Sequence, residues 1–166
     1  NLFIMSMNKF SEDMLILTIP FFGNSTMPYS QLSLDALTPY YQTQFGATYL
    51  GDSLQLMNFI PDGSINLIIT SPPFALTRKK EYGNKSSKEY VEWFVNFAKE
   101  FNRILTKDGS FVVDLGGAYL PGYPVKSIYQ FELLVRLCND LGFFLAQDFY
   151  HYNPSRLPAP AEWVNV

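Results

Sequence analysis

One stretch of the chain decides the fold, and it reads Ile65-Asn66-Leu67-Ile68-Ile69-Thr70-Ser71-Pro72-Pro73-Phe74. Its first part, 65–70, is a nearly continuous apolar run, which predicts a β-strand covered on both faces. Proline has no backbone N–H to donate to a neighbouring strand, so the strand must end where the two prolines begin. The sequence therefore predicts a buried strand whose carboxyl end carries a stiff turn.

Strands and helices alternate on both sides of this stretch, which indicates an α/β fold around a mostly parallel sheet. The expected strands are 47–50, 65–70, 110–114, 143–150 and the beginning of one at 162–166. Short helices are expected near 33–45 and over 53–59. Two longer helices each begin with a predicted capping box. The first has Ser86 and Glu89 and runs to about 105, and the second has Ser127 and Gln130 and ends at Gly142.

Loops and turns are expected at 107–109, 116–124 and 153–160. Residues 1–30 are weakly patterned and are expected to form an N-terminal arm that packs on another part of the protein, whereas 31–166 carry the strands and helices. In an open α/β sheet, ligands bind beyond the carboxyl ends of the strands. We therefore expect three loops to lie in one neighbourhood: Gly51-Asp52, 71–74 and 114–117.

Composition restricts the class of protein. With 166 residues, 48% of them hydrophobic, the chain is long enough for one domain with a core. The single cysteine, Cys138, excludes an internal disulfide and is expected to be a small core residue. Together with the single histidine, His151, it cannot build a zinc site, so no metal is expected. No signal peptide or membrane span is predicted, which favours a cytosolic protein.

The charge of the chain is unevenly distributed. A net charge of −3 argues, when taken alone, against a nucleic-acid partner. Five of the 12 lysines and arginines nevertheless lie close together: Arg78, Lys79, Lys80, Lys85 and Lys88. This basic cluster is either a solvated loop or a loop that contacts phosphates beside a reaction site.

The motif Ser71-Pro72-Pro73-Phe74 follows the predicted buried strand, with Gly51-Asp52 upstream of it. In this arrangement the chain resembles the amino-methylating DNA methyltransferases of restriction-modification systems. Their catalytic motif is Asp, Asn or Ser, then two prolines and an aromatic residue, and the form with serine is typical of enzymes that methylate cytosine N4. The resemblance covers essentially the whole chain.

This resemblance implies a fold, an activity and a cofactor. The fold would be a partial S-adenosylmethionine-dependent methyltransferase fold, which is Rossmann-like. The activity would be site-specific methylation of double-stranded DNA in the bacterial cytoplasm, protecting it from a cognate restriction enzyme. The methyl group would pass from S-adenosylmethionine, leaving S-adenosylhomocysteine, to N4 of a flipped cytosine. The alternatives are adenine-N6 methylation and a non-catalytic module that binds DNA or a partner.

The residue types of the motif suit that chemistry. An exocyclic amine is a poor nucleophile because its lone pair is delocalised into the base. The Ser71 hydroxyl and the Pro72 carbonyl can accept hydrogen bonds from the amine, and Pro72 and Pro73 together hold these acceptors rigidly. Phe74 offers a face on which a flipped base can stack, worth about 1–3 kcal/mol. Asp114, expected at a neighbouring strand end, either takes the amine proton or accepts hydrogen bonds from its own loop.

The resemblance also suggests contacts to the cofactor and to DNA. It places an acidic residue near Asp52 beside the adenosine part of the cofactor, with Tyr49, Ser53 and Ser71 as further contacts. The alternative role of Asp52 is a helix N-cap. The candidate DNA contacts are Arg78, Lys79, Lys80, Lys85 and Arg156.

The glycines after Val113 imitate a cofactor loop, but Pro121 and Pro124 separate them from the next helix, so we do not assign that role. In the permuted, beta-type order that the chain resembles, the catalytic half precedes the target-recognition region and the glycine-rich cofactor loop. Residues 31–166 are therefore expected to be a truncated methyltransferase domain lacking both. Alone it should be inactive, with the remaining C-terminal part of the same enzyme as its partner.

Overall fold

The computed structural model describes residues 2–7, 15–20, 37–43, 46–75, 85–120, 123 and 125–151, with the backbone only for 2–7 and 15–20. These residues form strands β1 (Leu2–Met7), β2 (Leu15–Pro20), β3 (Tyr41–Thr43), β4 (Gly46–Gly51), β5 (Ile65–Ser71) and β6 (Leu105–Val113). The helices among them are α1 (Ser53–Met57), α2 (Ser87–Ile104) and α3 (Tyr129–Leu141).

The strands form one mixed sheet in the order β3-β4-β2-β1-β5-β6. β5 lies between β1 and β6 and is parallel to both. β2 is antiparallel to β1 and β4, and β3 is antiparallel to β4. β1, β4, β5 and β6 thus run in one direction and β2 and β3 in the other. The α/β class is confirmed, and the expected mostly parallel sheet contains two reversed strands.

The N-terminal region contributes two of these strands. The sequence predicts a weakly patterned arm over 1–30, but β1 lies inside the sheet, with Leu2 opposite Leu67 and Ser6 opposite Ser71. The stretches 2–7 and 15–20 are therefore integral to the sheet. Strand propensity depends on the neighbours with which a strand pairs, so a local pattern was a poor guide here. The domain boundary at residue 30 stays a prediction.

α2 packs against α3 and against β6 of the sheet. The α2 rings of Phe94 and Phe101 lie against Phe111 of β6, with ring centroids 6.3 and 5.1 Å apart. On β5, Ile68 is buried, but Ile69 is 37% exposed because it points to the opposite face. The prediction that β5 is covered on both faces is therefore wrong for the part of the protein that is described.

Several predicted elements are confirmed. β4, α1, β5 and α2 lie where the sequence placed them, and α2 begins with the capping box of Ser86 and Glu89. α3 ends at Gly142, whose φ of 75° is the left-handed conformation that glycine adopts without strain. β6 begins directly after α2, earlier than predicted. The prediction of a turn at 107–109 is wrong: these residues belong to β6, where the register between β5 and β6 shifts.

Two predictions about helices are wrong. Residues 37–43 contain β3 rather than a helix, because 41–43 pair with β4. The capping box of Ser127 and Gln130 is absent from α3, whose N-cap is Ile128. Ser127 lies one position before that cap, and its Oγ accepts a hydrogen bond from the backbone N–H of Tyr129 at 3.3 Å.

The segment after α3 also differs from its prediction. Residues 143–150 are not a strand, and nearly all are exposed. A strand needs a hydrogen-bonding partner for its backbone, and none of the described strands pairs with this segment. The predicted loop at 153–160 and strand at 162–166 lie outside the described residues. No helix in the described part is both long and apolar enough to cross a membrane.

Candidate active site

The carboxyl ends of β5 and β6 bring two predicted catalytic residues together. The Asp114 backbone N–H donates to the Thr70 carbonyl at 2.9 Å, which extends the pairing of the two strands by one residue. Ser71 and Asp114 therefore leave the sheet side by side. The Ser71 Oγ donates a hydrogen bond to Asp114 Oδ2 at 3.2 Å, and both side chains are exposed.

The remaining motif residues turn away from the sheet edge. Pro72 and Ala75 are buried, and Pro73 and Phe74 are half-buried. The ring of Phe74 packs directly on the backbone of Gly116. A Cβ added at Gly116 would lie 2.9 Å from Phe74 Cγ and closer still to two other ring atoms. The 71–74 loop and the 114–117 loop are thus in contact, as the sequence predicted.

A third group, absent from the candidates that the sequence offered, joins these two loops. The hydroxyl of Tyr129, on α3, donates a hydrogen bond to the Gly116 carbonyl and accepts one from the Ala75 backbone N–H. Burial raises the pKa of Tyr129; the Ala75 N–H lowers it, and the Asp114 carboxylate raises it. No local signal in the sequence indicated this residue, because its contacts come from distant parts of the chain.

The predicted cofactor residues lie along the same edge of the sheet. β4 runs in the direction of β5, so Gly51-Asp52 leaves the sheet on the side of Ser71. β2 and β1 separate the two strands, which places them about 14 Å apart, at roughly 4.8 Å per strand. The Asp52 carboxylate accepts a hydrogen bond from the Gln55 backbone N–H at 3.0 Å and caps α1. The helix-cap alternative is therefore realised, and a cofactor contact stays a prediction.

The other two cofactor candidates have buried side chains. Ser53 is 2% exposed, and its Oγ has no hydrogen-bond partner among the described residues. Tyr49 is 1% exposed and is part of the core, which is the environment of a packing residue. Its contact with a cofactor also stays a prediction.

The basic cluster is described only in part. Lys85 and Lys88 are exposed at the start of α2. Arg78, Lys79, Lys80 and Arg156 lie outside the described residues. Within the described ranges, no group of three or more His, Cys, Asp or Glu residues could hold a metal. Cys138, on α3, is a free, half-buried thiol. His151, which follows α3, is exposed.

Comparison with known proteins identifies the class to which this fold and site belong. Residues 65–165, more than half of the chain, match the family model of the N6/N4 DNA methylases. The chain therefore belongs to this DNA methylase family. The family resemblance carried by Ser71-Pro72-Pro73-Phe74 is confirmed.

Individual relatives narrow the comparison. The chain is 60% identical over 127 residues to the type II methyltransferase M.PvuII of Proteus hauseri, a match that covers 76% of this chain and 38% of that protein. It is 30% identical over 133 residues to M.SfiI of Streptomyces fimbriatus, covering 68% of this chain and 31% of that protein. The chain thus spans between about a third and two fifths of these relatives.

The fold matches a solved structure as well. That structure is the cytosine-N4-specific PvuII DNA methyltransferase, with a TM-score of 0.60 and 61% sequence identity. The match covers 70% of this chain and 42% of the other. The similarity to the PvuII enzyme thus extends over both sequence and fold.

Proposed function

We propose that this chain is the catalytic part of a site-specific DNA methyltransferase that methylates cytosine N4. The observation that carries the proposal is the hydrogen bond from Ser71, the first residue of a Ser-Pro-Pro-Phe motif, to Asp114. It gains weight from the 60% identity to M.PvuII and from the match to the cytosine-N4-specific PvuII enzyme. The substrate is double-stranded DNA with the target cytosine flipped out of the helix.

The Ser71 hydroxyl orients the target amine. Its hydrogen is donated to Asp114, so its oxygen lone pairs face outward and can accept a hydrogen bond from N4. The Pro72 carbonyl provides a second acceptor. Together they hold the amine nearer to tetrahedral geometry, which localises the lone pair that attacks the methyl group.

Asp114 accepts the proton that the amine must lose. An amine that gains a methyl group carries one hydrogen too many, and a carboxylate in contact with Ser71 can take it. The path is either direct or through the Ser71 hydroxyl, which accepts one proton as it gives up its own. General-base help of this kind contributes roughly 10²- to 10⁴-fold to a rate. Phe74 stacks on the flipped base.

S-adenosylmethionine, when bound, supplies a methyl group activated on a positively charged sulfur. The residues present fit it in one respect: the buried Ser53 Oγ lacks a hydrogen-bond partner within the described ranges, next to the carboxylate of Asp52. Asp52 and Ser53 would bind its adenosine part, and Ser71 would border the reacting end. Tyr49 would support this edge from the core. The proposal includes no metal.

The wider setting follows from the relatives. M.PvuII and M.SfiI are type II methyltransferases of bacteria, so we place the reaction in the bacterial cytoplasm, where methylation protects DNA from a cognate restriction enzyme. Phosphates of the DNA are contacted by Arg78, Lys79, Lys80, Lys85 and Arg156. The remaining C-terminal part of the same enzyme completes the cofactor pocket and selects the DNA sequence.

The test is methyl transfer by the complete gene product. The enzyme is incubated with labelled S-adenosylmethionine and a DNA library, and the labelled base is mapped. We expect N4-methylcytosine, with transfer reduced roughly 100-fold or more in Ser71→Ala because an oriented acceptor is lost. Ser110→Ala, at an exposed serine near the start of the parallel pairing of β5 and β6, is the matched control and should retain full activity.

Each result discriminates between the alternatives. Label at adenine N6 would retain the mechanism and overturn the choice of base. No transfer by the complete protein, with DNA binding intact, would overturn the enzyme and favour a binding module. The 166-residue chain alone is expected to transfer no methyl group.

A further inference from the structure

The two loops of the proposed active site meet at one buried side chain. Tyr129 is 0% exposed, and its hydroxyl donates to the Gly116 carbonyl while it accepts from the Ala75 N–H. Ala75 directly follows Phe74, and Gly116 comes two residues after Asp114. One hydroxyl therefore connects the backbone just after the catalytic motif, at Ala75, with the backbone just after Asp114, at Gly116.

The Tyr129 side chain is held from several directions. Its ring packs edge-on against Tyr90 of α2, with centroids 4.8 Å apart. Its backbone N–H donates to Ser127 Oγ, and the Ser127 N–H donates to the Ala118 carbonyl at 2.8 Å. A hydroxyl held in this way has little freedom to move. Its position therefore determines the positions of the two loops.

Gly116 carries a second contact between the same loops. The Phe74 ring occupies the space in which a Cβ of Gly116 would lie. The separation of the two loops is thus set by the ring contact on one side and by the Tyr129 hydroxyl on the other. A shift of the Gly116 carbonyl would move both the Phe74 ring and the chain that carries Asp114.

We propose that Tyr129 is a positioning residue for methyl transfer: its hydroxyl fixes Phe74 and Asp114 at the separation that the reaction needs. This inference rests on the proposed function of the site. A misplacement of about 1 Å in reacting groups can cost roughly 100-fold in rate. The hydroxyl acts through the loops, and it does not touch the substrate.

The chain offers a matched control in Tyr90. It is also 0% exposed and belongs to the same aromatic layer, but its hydroxyl has no hydrogen-bond partner among the described residues. Tyr129→Phe and Tyr90→Phe each remove one buried oxygen and leave the ring in place. They differ in whether the removed oxygen joined the two loops.

The experiment measures steady-state methylation by the complete gene product and by both variants, well below the melting temperature of each. For Tyr129→Phe we expect kcat to fall roughly 10- to 100-fold, with KM for DNA and Kd for S-adenosylmethionine changed less than about twofold. Tyr90→Phe should keep the wild-type kcat. In a Phe74→Leu background the effect of Tyr129→Phe should shrink, because part of what the hydroxyl positions is already gone.

The possible results distinguish a failure of the positioning role from a failure of the proposed function. Wild-type kcat in Tyr129→Phe, or an equal loss in both tyrosine variants, would overturn the positioning role while the proposed function stands. A loss confined to thermal stability, with kcat unchanged, would also overturn it. An inactive wild-type enzyme would instead count against the proposed function itself.

Discussion

Single side chains of this site depend on backbone contacts made elsewhere. Asp114 reaches Ser71 because its own N–H pairs with the Thr70 carbonyl, which places the two residues side by side. Both identities were candidates from the sequence. The sequence predicted that their loops lie in one neighbourhood, but it did not predict this hydrogen bond between residues 43 positions apart.

Gly116 illustrates how much one hydrogen atom matters at this site. In Gly116→Ala the new methyl group would overlap the Phe74 ring, so the ring must move. We expect methyl transfer to fall roughly 10-fold or more, since the base would lose its stacking surface. Kinetics on the complete gene product measure this effect.

The neighbouring glycine is the control for this substitution. A Cβ at Gly117 would meet Gln130 Oε1 at 3.9 Å, an ordinary van der Waals distance. Gly117→Ala should therefore behave like the wild type. Equal losses in the two variants would show that the loop tolerates no alanine at all, and the specific contact with Phe74 would then explain nothing.

Among the helices and strands, α2 was predicted best. Its capping box and its length follow from local features, and the structure confirms both. α3 shows the limit of such signals: its end at Gly142 was predicted, but its beginning was not. Its first residue, Tyr129, is held by contacts with Gly116 and Ala75. No sequence pattern within the helix predicts these contacts.

The aromatic layer between α2 and α3 predicts a loss of stability at alkaline pH. Burial and the nearby Tyr129 phenol raise the pKa of Tyr90 well above the ordinary tyrosine value. Above pH 10 the unfolded chain ionises at this position and the folded protein does not. The contribution of Tyr90 is therefore fully present below pH 10 and decreases as the pH rises.

Unfolding by urea from pH 8 to pH 11, followed by circular dichroism, measures this effect. The wild type should lose about 1.4 kcal/mol more of its unfolding free energy by pH 11 than Tyr90→Phe loses. Parallel pH profiles for the two proteins would show that Tyr90 ionises as easily when folded as when unfolded, contrary to its burial.

For the molecule as a whole, the net charge of −3 gives little sign of a nucleic-acid partner, and the proposed contact with DNA rests on the basic cluster instead. Lys85 is exposed just before α2, in the part of the cluster that is described. In Lys85→Gln one phosphate contact should be lost. The slope of log K against log salt for DNA binding should then decrease in magnitude by about 0.9.

Lys107→Gln is the control for this charge effect. Lys107 is also exposed, but it lies near the start of β6, at the opposite end of the strand from Asp114. Its loss should leave the salt slope unchanged. Equal changes in the two variants would indicate non-specific attraction of DNA by total charge rather than contact at the basic cluster.

Features that act within a few residues could be predicted from the sequence. The prolines after β5, the capping box of α2 and the glycine after α3 each act within a few residues, so their consequences could be predicted without the rest of the chain. The motif Ser71-Pro72-Pro73-Phe74 belongs to the same category, because its acceptors and its aromatic ring are consecutive. For that reason the family could be inferred before the fold was known.

Only the tertiary structure decided which segments meet. It placed β1 beside β5 and brought the Tyr129 hydroxyl between the two loops. Among the described residues, it also left Ile69 partly exposed and 143–150 without a strand partner. Pairing between distant strands is selected by the summed packing and hydrogen bonding of the whole chain, in which each local preference is a small term. The candidate residues of the site could therefore be proposed from the sequence, whereas the contacts that position them could not.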